Sequence, residues 1–168
     1  MTQRVYILAL GLLFSLPAAA FDLESDAPVT INSDKARLDD AQGRATYTGD
    51  VVVTQEGTQL DANRVELYRD NLGLSRMEAF GTPARYQQPA SQEQAEIDAR
   101  ALTITYDARD EQITFEEQAV IHQGSDTFRG QRIVYSTSDR VVTAESGPDA
   151  SDRVEMTIQP RNQNEEQR

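Results

Sequence analysis

The acidic side chains are the first place to look for chemistry, because the chain carries 28 Asp and Glu against 16 Lys and Arg, one His and no Cys. Asp22, Glu24 and Asp26 alternate near the N-terminus, a spacing that could offer oxygens to a hard cation such as calcium. A calcium loop also needs a turn-forming Gly and a distal Glu, and neither follows, so the three acids read as a solvated segment. Asp39-Asp40 and Glu116-Glu117 are adjacent pairs in segments that read as strands or turns. Neighbours on a strand point to opposite faces and cannot serve one substrate as acid and base. His122 stands alone between Ile121 and Gln123 at the end of an apolar run and reads as a surface or edge residue. No G-x-S-x-G elbow, phosphate loop or H-E-x-x-H motif occurs. The absence of Cys removes thiol catalysis and disulfides, and one His cannot build a multi-His metal centre. No catalytic residue, metal site or cofactor is assigned.

What remains is apolar chemistry on alternating positions. Val29-x-Ile31, Val51-x-Val53, Val65-x-Leu67, Leu102-x-Ile104-x-Tyr106, Ile113-x-Phe115, Ile133-x-Tyr135 and Val154-x-Met156-x-Ile158 all keep a period of two. That is the signature of half-buried strands, and helical periodicity is nearly absent. Residues 39–43, 70–73, 107–110 and 136–139 are rich in Asp, Asn, Gly and Ser and read as turns. Short strands at this spacing predict an all-β sandwich, barrel or solenoid. Alternation sends one set inward, with Val29, Ile31, Tyr86, Ile104, Tyr106, Ile113, Phe115, Ile133 and Tyr135 as its large members. Such a face is either packed core or the lining of an apolar groove, and the pattern is the same for both.

The chain also repeats itself. A shift of 68 lays Leu38-Asp39 on Tyr106-Asp107, Tyr47 on Phe115, Val52-Val53 on Val120-Ile121 and Arg64-Val65 on Arg132-Ile133. A shorter phrase, apolar-polar-small, begins at Leu60, Ile97 and Phe128, with a looser copy at Ile31, and reads as a recurring strand start. Stacked repeats cover one another's apolar faces and leave two open ends, whose strand edges are templates for pairing. Residues 87–96 are polar and predict a loop, and residues 160–168 a disordered polar tail.

The N-terminus supplies an address. Arg4 precedes an uncharged run from Val5 to Leu16, then Pro17 and Ala18-Ala19-Ala20. This predicts a secretory signal peptide over residues 1–20, cut after Ala20, because the run is short of the roughly 20 apolar residues that span a bilayer. No Cys follows for lipid attachment, so a soluble exported domain over residues 21–159 is expected, in a periplasm that tolerates a Cys-free chain. The net charge is −12. A surface this acidic repels nucleic acid and anionic membranes, so an anionic ligand must be held mainly by its apolar part.

Several phrases carry a resemblance. Residues 29–34 (VTINSD), 45–55 (ATYTGDVVVTQ), 60–65 (LDANRV), 79–86 (AFGTPARY) and 128–135 (FRGQRIVY) are similar to the OstA-like (LptA) family of lipopolysaccharide transport proteins, over roughly residues 28–158. The second T-G-D-like phrase is degraded to Phe115-Glu116-Glu117-Gln118-Ala119, which leaves the shape of that turn open. The resemblance implies a twisted antiparallel β-jellyroll, with an open groove and exposed edge strands at both ends. It implies a periplasmic protein that binds the lipid A acyl chains of lipopolysaccharide and stacks head to tail. The stack would bridge LptC at the inner membrane and LptD-LptE at the outer membrane. By position, the family's lipid-facing residues fall on Ser25, Val29, Ile31, Tyr86, Tyr106 and Ala108, to which the alternation adds Ile104. Residues 28–38 and 152–159 are the expected docking edges. Competing classes are a β-solenoid enzyme acting on polysaccharide, which needs a carboxylate cluster on one face, and a structural strand-stacking periplasmic protein with no lipid ligand.

Overall fold

A computed structural model describes residues 27–71, 73–91, 94–148 and 153–160. The predicted signal peptide, the acids at 22, 24 and 26, Ser25 and residues 161–168 of the predicted tail lie outside the described residues. Ten strands form one antiparallel sheet: β1 (Thr30–Asn32), β2 (Lys35–Asp39), β3 (Arg44–Gln55), β4 (Thr58–Asp70), β5 (Gly73–Gln88), β6 (Ile97–Asp107), β7 (Gln112–Gln123), β8 (Asp126–Ser136), β9 (Val141–Glu145) and β10 (Glu155–Thr157). Neighbours in the chain are neighbours in the sheet from β3 to β8, while β1 and β2 both pair with β3 and β9 and β10 both pair with β8. The polar segment predicted as a loop begins later than expected, because β5 runs on through Gln87 and Gln88.

Every ladder from β3–β4 to β7–β8 loses register at one level of the sheet. These breaks fall at Thr48/Val51, Asp61/Arg64, Phe80/Ala84, Arg100/Thr103 and Glu116/Ala119, and the β4–β5 ladder shifts once more at Tyr68/Arg69. A bulge bends its strand and deepens the local twist. Aligned across five ladders, the bulges fold the sheet back on itself along one line. On one side lies a layer of β2, Arg44–Thr48, Arg64–Asp70, Gly73–Phe80, Thr103–Asp107, Gln112–Glu116, Arg132–Ser136 and β9. On the other lies a layer of β1, the remaining halves of β3 to β8, and β10. The inner faces of both layers form one hydrophobic cluster. Tyr86 of the second layer meets Phe115 of the first edge to face, with ring centroids 6.1 Å apart. The fold is thus all-β and antiparallel, consistent with the expected jellyroll.

The 68-residue repeat is written in the backbone. Positive φ recurs at Gly43 and Glu111, Gly49 and Glu117, Asp50 and Gln118, and Glu56 and Gly124. The degraded phrase at 115–119 therefore makes the same bulge as Tyr47–Val51, although Glu117 (φ 64°) and Gln118 (φ 58°) replace Gly49 and Asp50. The recurring short phrase needs correction. At Leu60 and Phe128 it is not a strand start but spans the bulge in the middle of β4 and β8; only at Ile97 does a strand begin. The small residue serves close approach there: a Cβ on Gly130 would lie 2.9 Å from the Glu145 carbonyl oxygen.

A non-Gly residue in the left-handed region costs about 1–2 kcal/mol. Exposed Glu117 bears that cost, so Glu117→Gly is expected to keep or raise the thermal midpoint. Gly49→Ala is expected to lower stability by about 1–2 kcal/mol, because its Cβ would also collide with the Asp34 carboxylate. Thermal unfolding followed by circular dichroism checks both.

Candidate functional site

The alternation places the predicted inner residues where it should. Tyr86, Ile104, Tyr106 and Ala108 are buried, at 1 to 5% exposure, and Val29 and Ile31 are half-buried against the same cluster at the β1 edge. They do not converge on one pocket. Ile104 and Tyr106 lie on the first layer, Tyr86 on the second, Ala108 just past the end of β6 and Val29 just before β1. They are points along one apolar surface that crosses the whole sheet. Phe115, Val53, Val65 and Ile133, all fully buried, fill the space between them. In this form the two layers close on each other, so the inner face is packed rather than an open trough.

Sequence reading missed a buried polar ring at the end of the second layer. The Tyr86 hydroxyl donates to Gln88 Oε1 at 3.0 Å, Gln88 Nε2 donates to Gln94 Oε1 at 2.8 Å, and the Gln94 N–H donates to Ser91 Oγ at 3.1 Å. Gln55 Nε2 donates to the Ala27 carbonyl at 3.1 Å. These bonds tie the β5–β6 connection and the N-terminal segment over the end of the core. Gln55, Thr58 and Gln88 are buried here; the only sequence signal is that all three share the inward parity of Val53, Leu60 and Tyr86.

The outer face is polar and ion-paired. Glu66, nearly buried, lies between Arg44 and Arg64, at 3.8 and 3.3 Å, and Arg64 stacks 4.3 Å above the Phe80 ring. The Tyr68 hydroxyl donates to Glu66 and Glu78, and burial together with those carboxylates pushes it far above the ordinary phenol range. It stays a donor at every physiological pH. Beside it is a cleft of about 650 Å³ lined by Lys35, Arg37, Arg44, Arg64, Asp39 and Glu66 among others. That cleft lies on the opposite face from every predicted lipid-facing residue. On the second layer's outer face, the Arg85 guanidinium holds Asp98 below the usual carboxylate range, while burial opposes the shift. The predicted surface His122 is exposed and bonded to Thr127 at 3.0 Å. Among the described residues no group of His, Asp and Glu is arranged to hold a metal. The described residues contain no helix, and so none long and apolar enough to cross a membrane.

The remaining feature is at the ends. All the exposed large hydrophobic side chains among the described residues lie on or beside edge strands: Leu38 on β2, Val141 on β9, and Val154, Met156 and Ile158 on and around β10. Leu38 and Met156 point to the core side, yet are 61% and 51% exposed, because the sheet stops there. The expected edge 28–38 is two short strands, and the edge expected at 152–159 is joined by β9, which sequence reading did not single out.

Comparison with known proteins adds a family. A family model described as LptA/(LptD N-terminal domain) LPS transport protein matches residues 30–141. The lipopolysaccharide export system protein LptH of Pseudomonas aeruginosa is 37% identical over 169 residues, covering 93% of this chain and 97% of that protein. LptA of Escherichia coli K12 is 27% identical over 148 residues, covering 87% and 78%. The crystal structure of P. aeruginosa LptH, described as the LptA homologous periplasmic component of a lipopolysaccharide transport device, superposes with a TM-score of 0.74. It is 36% identical, covering 86% of this chain and all of that one.

The buried ring gives a test of how the core end is closed. Tyr86→Phe leaves the Gln88 amide oxygen without its donor and is expected to cost about 1–2 kcal/mol, while Phe115→Ala, which empties the contact between layers, costs about 3–5 kcal/mol. Denaturant unfolding of the two variants measures both.

Proposed function

The chain belongs to the LptA/LptD N-terminal family of lipopolysaccharide transport proteins, and on that premise we propose that it is one link of a periplasmic bridge carrying lipopolysaccharide from the inner to the outer membrane. The acyl chains of lipid A lie between the two layers, against Val29, Ile31, Tyr86, Ile104, Tyr106 and Ala108, while the sugars and phosphates stay in water. Copies stack head to tail, and the terminal edges of the stack meet LptC at one membrane and LptD-LptE at the other. The protein binds and passes on its cargo; it catalyses nothing.

The observation that carries this reading is an apolar face that runs through β1 and β3 to β9 and ends in exposed Leu38 and Met156 at the two edges of the sheet. A chain of about a dozen methylenes gains on the order of 10 kcal/mol from leaving water before ordering costs, of which much less remains net. Lipid between the layers replaces contacts between side chains, such as Tyr86 on Phe115, with contacts to acyl carbons. That exchange keeps the net affinity modest, as a carrier that must release its cargo requires. The net charge of −12 suits a cargo held by its tails, since it disfavours anions over the surface as a whole.

A photo-crosslinking amino acid at position 106 in living cells is expected to capture lipopolysaccharide, and the same residue at the outward-facing neighbour Thr105 is not. Capture at neither position, with copies still associating, would make the chain a structural strand-stacking protein without a lipid ligand.

A further inference from the structure

The two ends of the sheet are the two halves of a junction that the chain already contains. At the head, Lys35–Asp39 pair with Arg44–Thr48 as Thr103–Asp107 pair with Gln112–Glu116, each residue shifted by 68. Thr30–Asn32 face Val52–Thr54 as Asp98–Arg100 face Val120–His122. Together β1 and β2 therefore occupy the place of β6. At the tail, Glu145 and Val141 face Arg132 and Ser136 as Phe80 and Arg76 face Arg64 and Tyr68. Glu155–Thr157 face Thr127–Arg129 as Arg85–Gln87 face Gln59–Asp61. Together β9 and β10 occupy the place of β5. In the middle of the chain β5 and β6 pair with each other; at the ends their counterparts have no neighbour on one side.

We infer that two copies of this chain join by repeating the β5–β6 register between them. The inference rests on the stacking reading above and assigns its partner surfaces residue by residue. The internal pairs Met77↔Tyr106, Glu78↔Thr105 and Phe80↔Thr103 translate to Val142, Thr143 and Glu145 of one copy opposite Leu38, Arg37 and Lys35 of the next. In the second layer, Tyr86↔Ala99 translates to Met156 opposite Ile31. Direction agrees as well: strands alternate from β2 and β1 at the head to β9 and β10 at the tail, so a translated copy continues antiparallel in both layers.

The chemistry of these pairs was no part of the alignment, and it fits. Inward positions meet apolar on apolar, Val142 on Leu38 and Met156 on Ile31, and cover the two exposed side chains that point to the core. Outward, Glu145 meets Lys35, and no like charges stand directly opposite. Opposed charges across strands favour pairing and like charges disfavour it. The path across the sheet has eight strand positions, which at about 4.8 Å each gives a rise of roughly 38 Å per copy.

The full chain has no cysteine, so paired replacements report the joint cleanly. Arg37→Cys with Thr143→Cys in one chain is expected to give a ladder of disulfide-linked oligomers under mild oxidation. Pairing Thr143→Cys with Lys35→Cys or Asp39→Cys, two residues out of register, is expected to give at least fivefold less. Opposite positions meet disulfide geometry, whereas diagonal ones stand about 7–8 Å apart. A ladder strongest for a shifted pair, or dimers from Arg37→Cys alone, overturns the register and leaves stacking intact. No ladder from any pair, with monomers by light scattering, overturns the stacking reading too. As a second arm that needs no cysteine, Lys35→Glu is expected to weaken association and Lys35→Glu with Glu145→Lys to restore it; absence of restoration contradicts the assigned pair.

Discussion

The structure depends on one constraint: a single sheet has to bury its own apolar face. With no helix among the described residues to cover it, the sheet does so by bending at the line of bulges that crosses five ladders. The breaks leave one to four residues of a strand outside the ladder, and those of β3 and β7 place left-handed backbone at Gly49, Asp50, Glu117 and Gln118. In return, the halves of each strand face each other and Tyr86 reaches Phe115 across the gap. A fold closed this way is covalently continuous along the bulge line, and its two layers meet through apolar contact.

Alternation was enough to identify the inner face. Every large side chain assigned inward, from Val29 to Tyr135, packs in or against the core. The repeat was also legible, and its weakest phrase, at Glu117-Gln118, keeps its backbone shape despite losing its Gly. The bend itself was not legible, because it erases the period that would reveal it. Inward parity is even at Leu60 but odd at Val65 on one strand, and changes likewise between Ala79 and Ala84, between Ala101 and Ile104, and between Phe128 and Ile133. Read linearly, each of these four strands looks like two short ones, whereas β3 and β7 keep one inward parity through the bend. The question of groove or core was equally hidden, since both demand the same inward residues.

The ends show how a protein can keep an edge available without inviting arbitrary partners. β1 and β10 have three residues each and β2 and β9 five, against 16 for the central β5. Short edges bearing charge, such as Lys35 and Glu145, are a general device against indiscriminate pairing. Here β2 bears Lys35, Arg37 and Asp39, and β9 bears Glu145.

The central claim is that acyl chains enter between the layers. The chain has no Trp, so Tyr106→Trp places a single fluorophore on the inner face. Titration with lipopolysaccharide bearing a nitroxide on an acyl chain should quench it strongly, and lipopolysaccharide with the nitroxide on a sugar should not. Equal quenching by both, or by neither at concentrations where the lipid binds, would contradict the account.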